Sequence, residues 1–328
     1  MILYLGRRLI GVAGILLVIC AITFTIFYLL PSDPAAAACG KTCSPERLAD
    51  VKAAMGLDQP IWRQFSDYLT GIFTGREYGS GASAVHCGFP CLGYSYEYSM
   101  PVWGLLADRM PVSFSLAVGA ALLWLLLGLG AGIVSALRKD SLTDKSLMVV
   151  SVATASLPVY FTAIMLIWGA VRLTGLLPYP AYVSPADDLL GWASNLLLPW
   201  VALALLYAAM YARQSRNSMI ETMAEPYIRT ARAKGLPART VTFKHGLRSG
   251  MTPILTIFGM DLGGLLAGAV ITESIFGLPG VGRLFYDALA RSDQPVILGV
   301  TLLAAFFIVV ANLLVDLLYA YIDPRVRY

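Results

Sequence analysis

The sequence predicts an all-α, polytopic membrane protein, and two observations carry that expectation. Of the 328 residues, 58% are hydrophobic and 13% charged, with a mean hydropathy of +0.70, so most of the folded surface must face something other than water. Six stretches are also long enough to cross a bilayer, which takes about 20 apolar residues as a helix. They are 9–30, 112–137, 146–173, 195–212, 253–274 and 297–322, the fourth being the shortest.

The first stretch follows "GRR" and precedes "AAAAC" at 35–39, a pattern that mimics a secretory signal with a cleavage or lipidation site. Its apolar run reaches about 22 residues, beyond the 7–15 of a signal core, and "LLPSDP" separates it from the alanines. It reads as an uncleaved helix, with Cys20 inside it as a small packing residue.

The loop 31–111 that follows is large enough to fold. In "SPERLADVKAAMGLDQP", Ser44 starts a helix, Pro45 takes its first position and Gly56 stops it. "IWRQFSDYLTGIF" is a second amphipathic run. Four of the five cysteines lie here as two C-x3-C pairs, Cys39 with Cys43 and Cys87 with Cys91. On an exported, oxidising face the pattern favours disulfides, with three connectivities open. A metal site is the poorer alternative, since only His86 lies near either pair, and free thiols are the remaining one. "CGKTC" holds the Gly-Lys-Thr tail of a phosphate loop, but a real one needs a second glycine where this chain has Ala35.

Orientation follows from Lys and Arg, which crowd cytoplasmic loops. With six spans the termini share a side, and that side carries 15 of the 24 basic residues against five acids. Both termini are therefore expected in the cytoplasm. The pI of about 8.7 reflects this topology and requires no nucleic-acid partner. No internal repeat or low-complexity tail is present, so residues 1–328 form one integral membrane domain with an outer loop, 31–111, and a long cytoplasmic loop, 213–252.

Catalytic candidates are scarce. The two histidines, His86 and His245, fall on opposite faces, so no histidine-based metal or nucleophile site assembles within one chain. Polar groups inside spans are more informative, because an ionisable group in hydrocarbon is costly and faces a bundle interior or cavity. Asp261 sits in the fifth stretch; Asn312 and Asp316 share one face of the sixth. Asp316 lies near the cytoplasmic end, within reach of Arg325 or headgroup water. Asp261 serves either an ion-coupled carrier or channel, or a helix interface. Gly259, Gly263, Gly264 and Gly268 give two GxxxG spacings around it, and Gly128 and Gly132 a third, each allowing close helix approach in a static bundle or a pathway.

The loop 213–252 is long enough to be functional. Glu225 suits the positive end of a helix dipole, Pro226 the first helical position, Gly235 a left-handed cap, and Pro237 forbids continuation. The spacing predicts a short helix over 226–234. Tyr227, Ala231 and Gly235 succeed one another at i+4, so one edge tapers from large to small. Arg229, Arg232 and Lys234 occupy its other faces. Positive-inside topology or anionic lipid explains the charge, but neither explains the double punctuation.

"YIRTARAKG" at 227–235, followed by "FKHGLRSGMTP", resembles the cytoplasmic loop of ABC importer permeases in the dipeptide/oligopeptide (peptide/nickel) family, first-permease branch. Arg229-Thr-Ala231 stand where the general motif has Glu-Ala-Ala, so Ala231 and Gly235 match and the glutamate does not; Glu221 and Glu225 lie nearby. "LLPSDP", "MGLDQPIWRQFSDYL", "ITESIFGLPGVGRLFYDAL" and "YIDPRVRY" extend the resemblance over nearly the whole chain. The "CGKTC" and "VHCGFPCLGYSYEYSM" stretches depart from the family pattern.

The resemblance implies a type I importer permease fold in the bacterial plasma membrane. It implies a homologous second permease, two cytoplasmic ATPases that carry ATP and Mg, and an extracytoplasmic substrate-binding protein. This chain would hold no cofactor. Glu225, Tyr227, Arg229, Ala231, Arg232 and Gly235 would couple it to an ATPase.

Overall fold

The computed structural model describes residues 2–29, 35, 44–54, 57–78 and 85–322. Its elements in order are α1 (Ile2–Leu29), α2 (Pro45–Ala54), α3 (Ile61–Thr74), β1 (Arg76–Tyr78), β2 (Val85–Cys87), β3 (Tyr94–Ser95) and β4 (Met100–Pro101). Then come α4 (Val102–Leu137), α5 (Leu142–Ala155), α6 (Val159–Leu173), α7 (Leu189–Ala224), α8 (Pro226–Ala233) and α9 (Ala238–Gly250). The chain ends with α10 (Thr252–Leu266), α11 (Val270–Ile275), α12 (Val281–Arg291) and α13 (Gln294–Ile322). Among the described residues, α1, α4, α7 and α13 are long and apolar enough to cross a membrane. The number rises to six if the bent pairs α5–α6 and α9–α10 each form one span.

Several boundaries differ from the sequence reading, each for a local reason. The third stretch, 146–173, bends by 98° between α5 and α6. Pro158 lies at that break and disfavours helical geometry at the residue before it. The fifth, 253–274, stops at Leu266, and Gly268 takes φ +119, a conformation open to glycine and costly for other residues. The fourth, expected as the weakest, is the core of a 36-residue helix, α7, that runs on to Ala224; the 213–252 loop loses its first dozen residues to it. α4 likewise claims the last ten residues of the 31–111 loop.

α4 and α7 form the largest helix pair, and they run parallel. Gly119 lies against Trp200, Gly128 against Tyr211 and Ala208, and Gly132 against Ser215. A Cβ on Gly128 would sit 2.7 Å from the Cβ of Tyr211, so the glycine is required for the approach. α10 and α13 pack antiparallel by the same device, Gly259 against Val315 and Gly263 against Ile308. The α4–α7 seam closes over a core that includes Trp124, Leu116, Leu196 and Tyr211, and extends to Ile254 and Phe276. A second core joins the start of α4 to α12 and α13 through Val102, Leu106, Leu284 and Val300.

The described part of the segment between α1 and α4 is folded. α3 is amphipathic, with Tyr68 and Gly71 buried, and Phe24 of α1 packs on Phe65 and Tyr68 at 5.5 and 5.8 Å. β1 and β2 pair antiparallel with Arg76 opposite Cys87, and the Arg76 guanidinium covers the Tyr68 ring. Cys87 and Cys91 form a disulfide; Cys39, Cys43 and the expected stop at Gly56 lie outside the described residues. Cys20 is a buried free thiol, as expected of a packing residue. Asp316 meets Arg8 of α1, not the C-terminal Arg325 invoked from sequence, which lies outside the described residues.

Candidate functional site

α8 has the build the sequence predicts. Glu225 is extended (φ −62, ψ 148) and makes no side-chain cap, and Pro226 takes the first position. At the far end Gly235 adopts φ +74, with its amide bonded to the Arg232 carbonyl (2.9 Å) and the Leu236 amide to the Ala231 carbonyl (3.3 Å). That pair of bonds is a left-handed cap of the Schellman kind. The helix spans Pro226–Ala233, one residue short of expectation.

Its faces, however, need correction. The edge of Tyr227, Ala231 and Gly235 was expected to receive another backbone. Ile228 and Ala231 are instead buried against Val241 of α9, with Met223 of α7 alongside. The reason is that Ile228 is the helix's large aliphatic residue, and the side it turns toward the chain brings Ala231, three residues on, with it. Tyr227, Arg229, Arg232 and Gly235 are exposed, and they form the outward surface.

Behind α8 lies an ion pair that the sequence reading passed over. Asp144, at the start of α5, accepts two hydrogen bonds from Arg216 of α7, from Nε and Nη2, each 2.7 Å. It also accepts the Asp140 amide at 2.9 Å and the Ser135 hydroxyl of α4. A forked guanidinium–carboxylate contact fixes orientation as well as distance. It therefore locks α4, α5 and α7 together about three turns before α8 begins. Sequence holds only a weak signal for it: an acid three residues after Ser141, whose hydroxyl accepts the Asp144 amide at 3.2 Å.

Asp261 lies on α10 and accepts a 2.8 Å hydrogen bond from the Tyr211 hydroxyl of α7. The glycines around it divide. Gly259 and Gly263 pack on α13, whereas an added Cβ at Gly264 would meet nothing within 4 Å. Met260, Asp261 and Gly264 therefore form an open face. Gly268 belongs to neither face: its backbone crosses that of Gly282, leaving no room for a Cβ. That crossing is held by Glu273, fully buried. Glu273 accepts the Ser113 hydroxyl at 2.8 Å, the Ala269 amide at 3.2 Å and the Arg283 amide at 2.8 Å. Ser113 in turn accepts the Val281 amide at 2.9 Å. The knot explains "GLPGVG", because a side chain at Gly280 would strike the Glu273 carboxyl and one at Gly282 would lie 2.7 Å from the Val270 amide.

The disulfide end of the molecule is tied to α3, to the end of α12 and to the residue just before α13. Cys91 donates its amide to Ile72 at 3.1 Å, Ser95 bonds Asp293, and Arg291 pairs with Glu97 at 2.6 Å. Burial raises the Asp293 carboxyl above its ordinary range, against the opposing bonds from Ser95 and the Val296 amide.

Comparison with known proteins places this architecture. Residues 128–328 match the family described as binding-protein-dependent transport system inner membrane component, and residues 1–117 its N-terminal companion. The dipeptide transport system permease protein DppB of Alkalihalophilus pseudofirmus is 33% identical over 348 residues, with all of both chains covered. DppB of Escherichia coli (strain K12) is 33% identical over 352 residues, covering 100% of this chain and 99% of that protein. A chain from the inward-facing MetNI methionine ABC transporter superposes with a TM-score of 0.55 at 14% identity, covering 67% of this chain and 97% of that one; this shows a shared fold. The fold, the full-length relatives and the matched profile agree: the chain belongs to the binding-protein-dependent transport system inner membrane component family.

Proposed function

We propose that this chain is one of two homologous permeases in an ATP-driven importer of peptides. In this reading it crosses the bacterial plasma membrane six times, with both termini cytoplasmic and residues 31–111 outside. Two cytoplasmic ATPases hold ATP and Mg; this chain holds no cofactor and hydrolyses nothing. An extracytoplasmic binding protein delivers the peptide to the face built around Cys87–Cys91.

The single observation that carries the proposal is α8. It starts at Pro226, is closed by the Gly235 cap and is seated on Ile228 and Ala231, and it presents Tyr227, Arg229 and Arg232 outward. A short rigid helix joined directly to a 36-residue helix suits the transfer of rigid-body motion from a nucleotide-driven partner to a pathway. The full-length dipeptide permease relatives support the substrate class. The ion-coupled carrier built on Asp261 is the weaker reading, since it gives α8 no task.

The test is Arg229→Glu with Arg232→Glu in the complete transporter, reconstituted in proteoliposomes. Both side chains are exposed, so insertion should be unchanged while ATP-driven dipeptide uptake falls to background. Uptake equal to wild type would refute the coupling role, and ion-driven uptake by the chain alone would restore the carrier.

A further inference from the structure

The open face of α10 carries a carboxylate without a counter-charge. Asp261 has no ion-pair partner among the described residues, and its one hydrogen bond comes from a neutral phenol, Tyr211. It sits nine residues into α10, about 14 Å along the axis from Thr252. It is partly exposed, between Met260 and Gly264, which are also open. A half-exposed carboxylate at that depth is too costly to face lipid and belongs on a water-filled path.

Its surroundings are aromatic. Tyr207 and Tyr211 lie one turn apart on α7, and the Trp124 ring stands 4.7 Å from Tyr207, 6.0 Å from Tyr211 and 6.1 Å from Phe258. One turn below, a cavity of about 70 Å³ opens between Tyr211, Gln214 and Ile257. A carboxylate with only phenols beside it attracts an organic ammonium ion chiefly through its charge.

From this we infer that Asp261, oriented by the hydroxyl of the buried Tyr211, is the pathway contact for the α-ammonium group of a passing peptide. The inference rests on the importer reading for its substrate, but its test does not depend on uptake. In the complete transporter without nucleotide, Met260→Cys provides a reporter beside Asp261, since Met260 is 48% exposed. After normalisation to their rates with a free thiol, a cationic methanethiosulfonate should label it roughly tenfold faster than an anionic one. Alanyl-alanine should slow labelling, and N-acetyl-alanyl-alanine should not. Adding Asp261→Asn should erase both the charge preference and the protection, whereas Asp261→Glu should retain them.

Three results would overturn the inference: no labelling by water-soluble reagents, equal protection by the two dipeptides, or protection that survives Asp261→Asn. A wild-type complex that imports no peptide while this pattern holds would sink the importer reading alone. Normal uptake with the pattern absent would sink this inference alone.

Discussion

Replacing Glu273 by alanine should be among the most damaging single substitutions in the chain. Its carboxylate is fully buried and serves donors from three parts of the chain: the Ser113 hydroxyl of α4, the Ala269 amide just before α11 and the Arg283 amide of α12. Alanine leaves all three without an acceptor. Each buried group so stranded costs about 1–3 kcal/mol, so the loss is roughly 3–6 kcal/mol before any cavity is counted, given partial relaxation. Glutamine keeps the shape but places an NH2 where one oxygen had accepted, so one donor set faces a donor and about half the loss should remain. The assay is thermal unfolding of the detergent-purified chain, followed by reaction of the buried Cys20 thiol with a fluorogenic maleimide. The expected order of midpoints is wild type, then Glu273→Gln, then Glu273→Ala, with several degrees between neighbours. A glutamine variant that unfolds with wild type would refute the argument, because it would mean the carboxylate oxygens do not hold the α11–α12 crossing.

Other expectations follow from the same geometry. Gly268→Ala should prevent accumulation of folded protein, measured by size-exclusion yield, since φ +119 and the Gly282 backbone both exclude a Cβ; a normal yield would contradict the crossing. Asp144→Asn should uncouple ATP hydrolysis from uptake while the chain still inserts, and the exchange Asp144→Arg with Arg216→Asp should restore part of the coupling; no rescue would assign Asp144 a role other than its pairing with Arg216. Without reductant, Cys87 and Cys91 should resist maleimide, and rapid labelling of either would argue against their disulfide. The Asp293 carboxyl is raised in the folded state by burial, so the fold binds that proton more tightly than the unfolded chain. Stability attributable to it should fall as pH rises from the ordinary carboxylate range through the raised native value, then level off. Asp293→Asn should remove that component, and an unchanged pH profile of the unfolding midpoint would refute it.

What the sequence could and could not reveal divides along physical lines. Apolar length, helix punctuation and cysteine spacing are local, and they announce α1, α4, α8, α13 and disulfide chemistry at Cys87 and Cys91, though not which cysteine pairs with which. The break at Pro158 was also local, yet the long apolar run on both sides of it masked the bend. Which side of α8 turns inward was not local: Ile228 finds Val241 thirteen residues later, and that contact decides where Ala231 points. Glu273 and Asp144 were missed because their meaning lies in partners 160 and 72 positions away. Nothing in a single sequence distinguishes such acids from solvated ones. The glycines of α10 show the limit most clearly, since identical spacing covers a helix contact at Gly259 and Gly263, an open face at Gly264 and a backbone crossing at Gly268.

The length of α7 sets how far a displacement of α8 can travel. From Ala224 back to Pro199 the helix has one uninterrupted hydrogen-bond ladder, a strut of about 38 Å. Pro199, inside the helix, removes one rung and is its compliant point. Beside it the Trp200 indole bonds the Ser115 carbonyl of α4 at 3.0 Å. A thrust delivered at α8 would thus move α7 together with α4 from the Asp144–Arg216 lock up to that level, while the residues of α7 before Pro199 stay still.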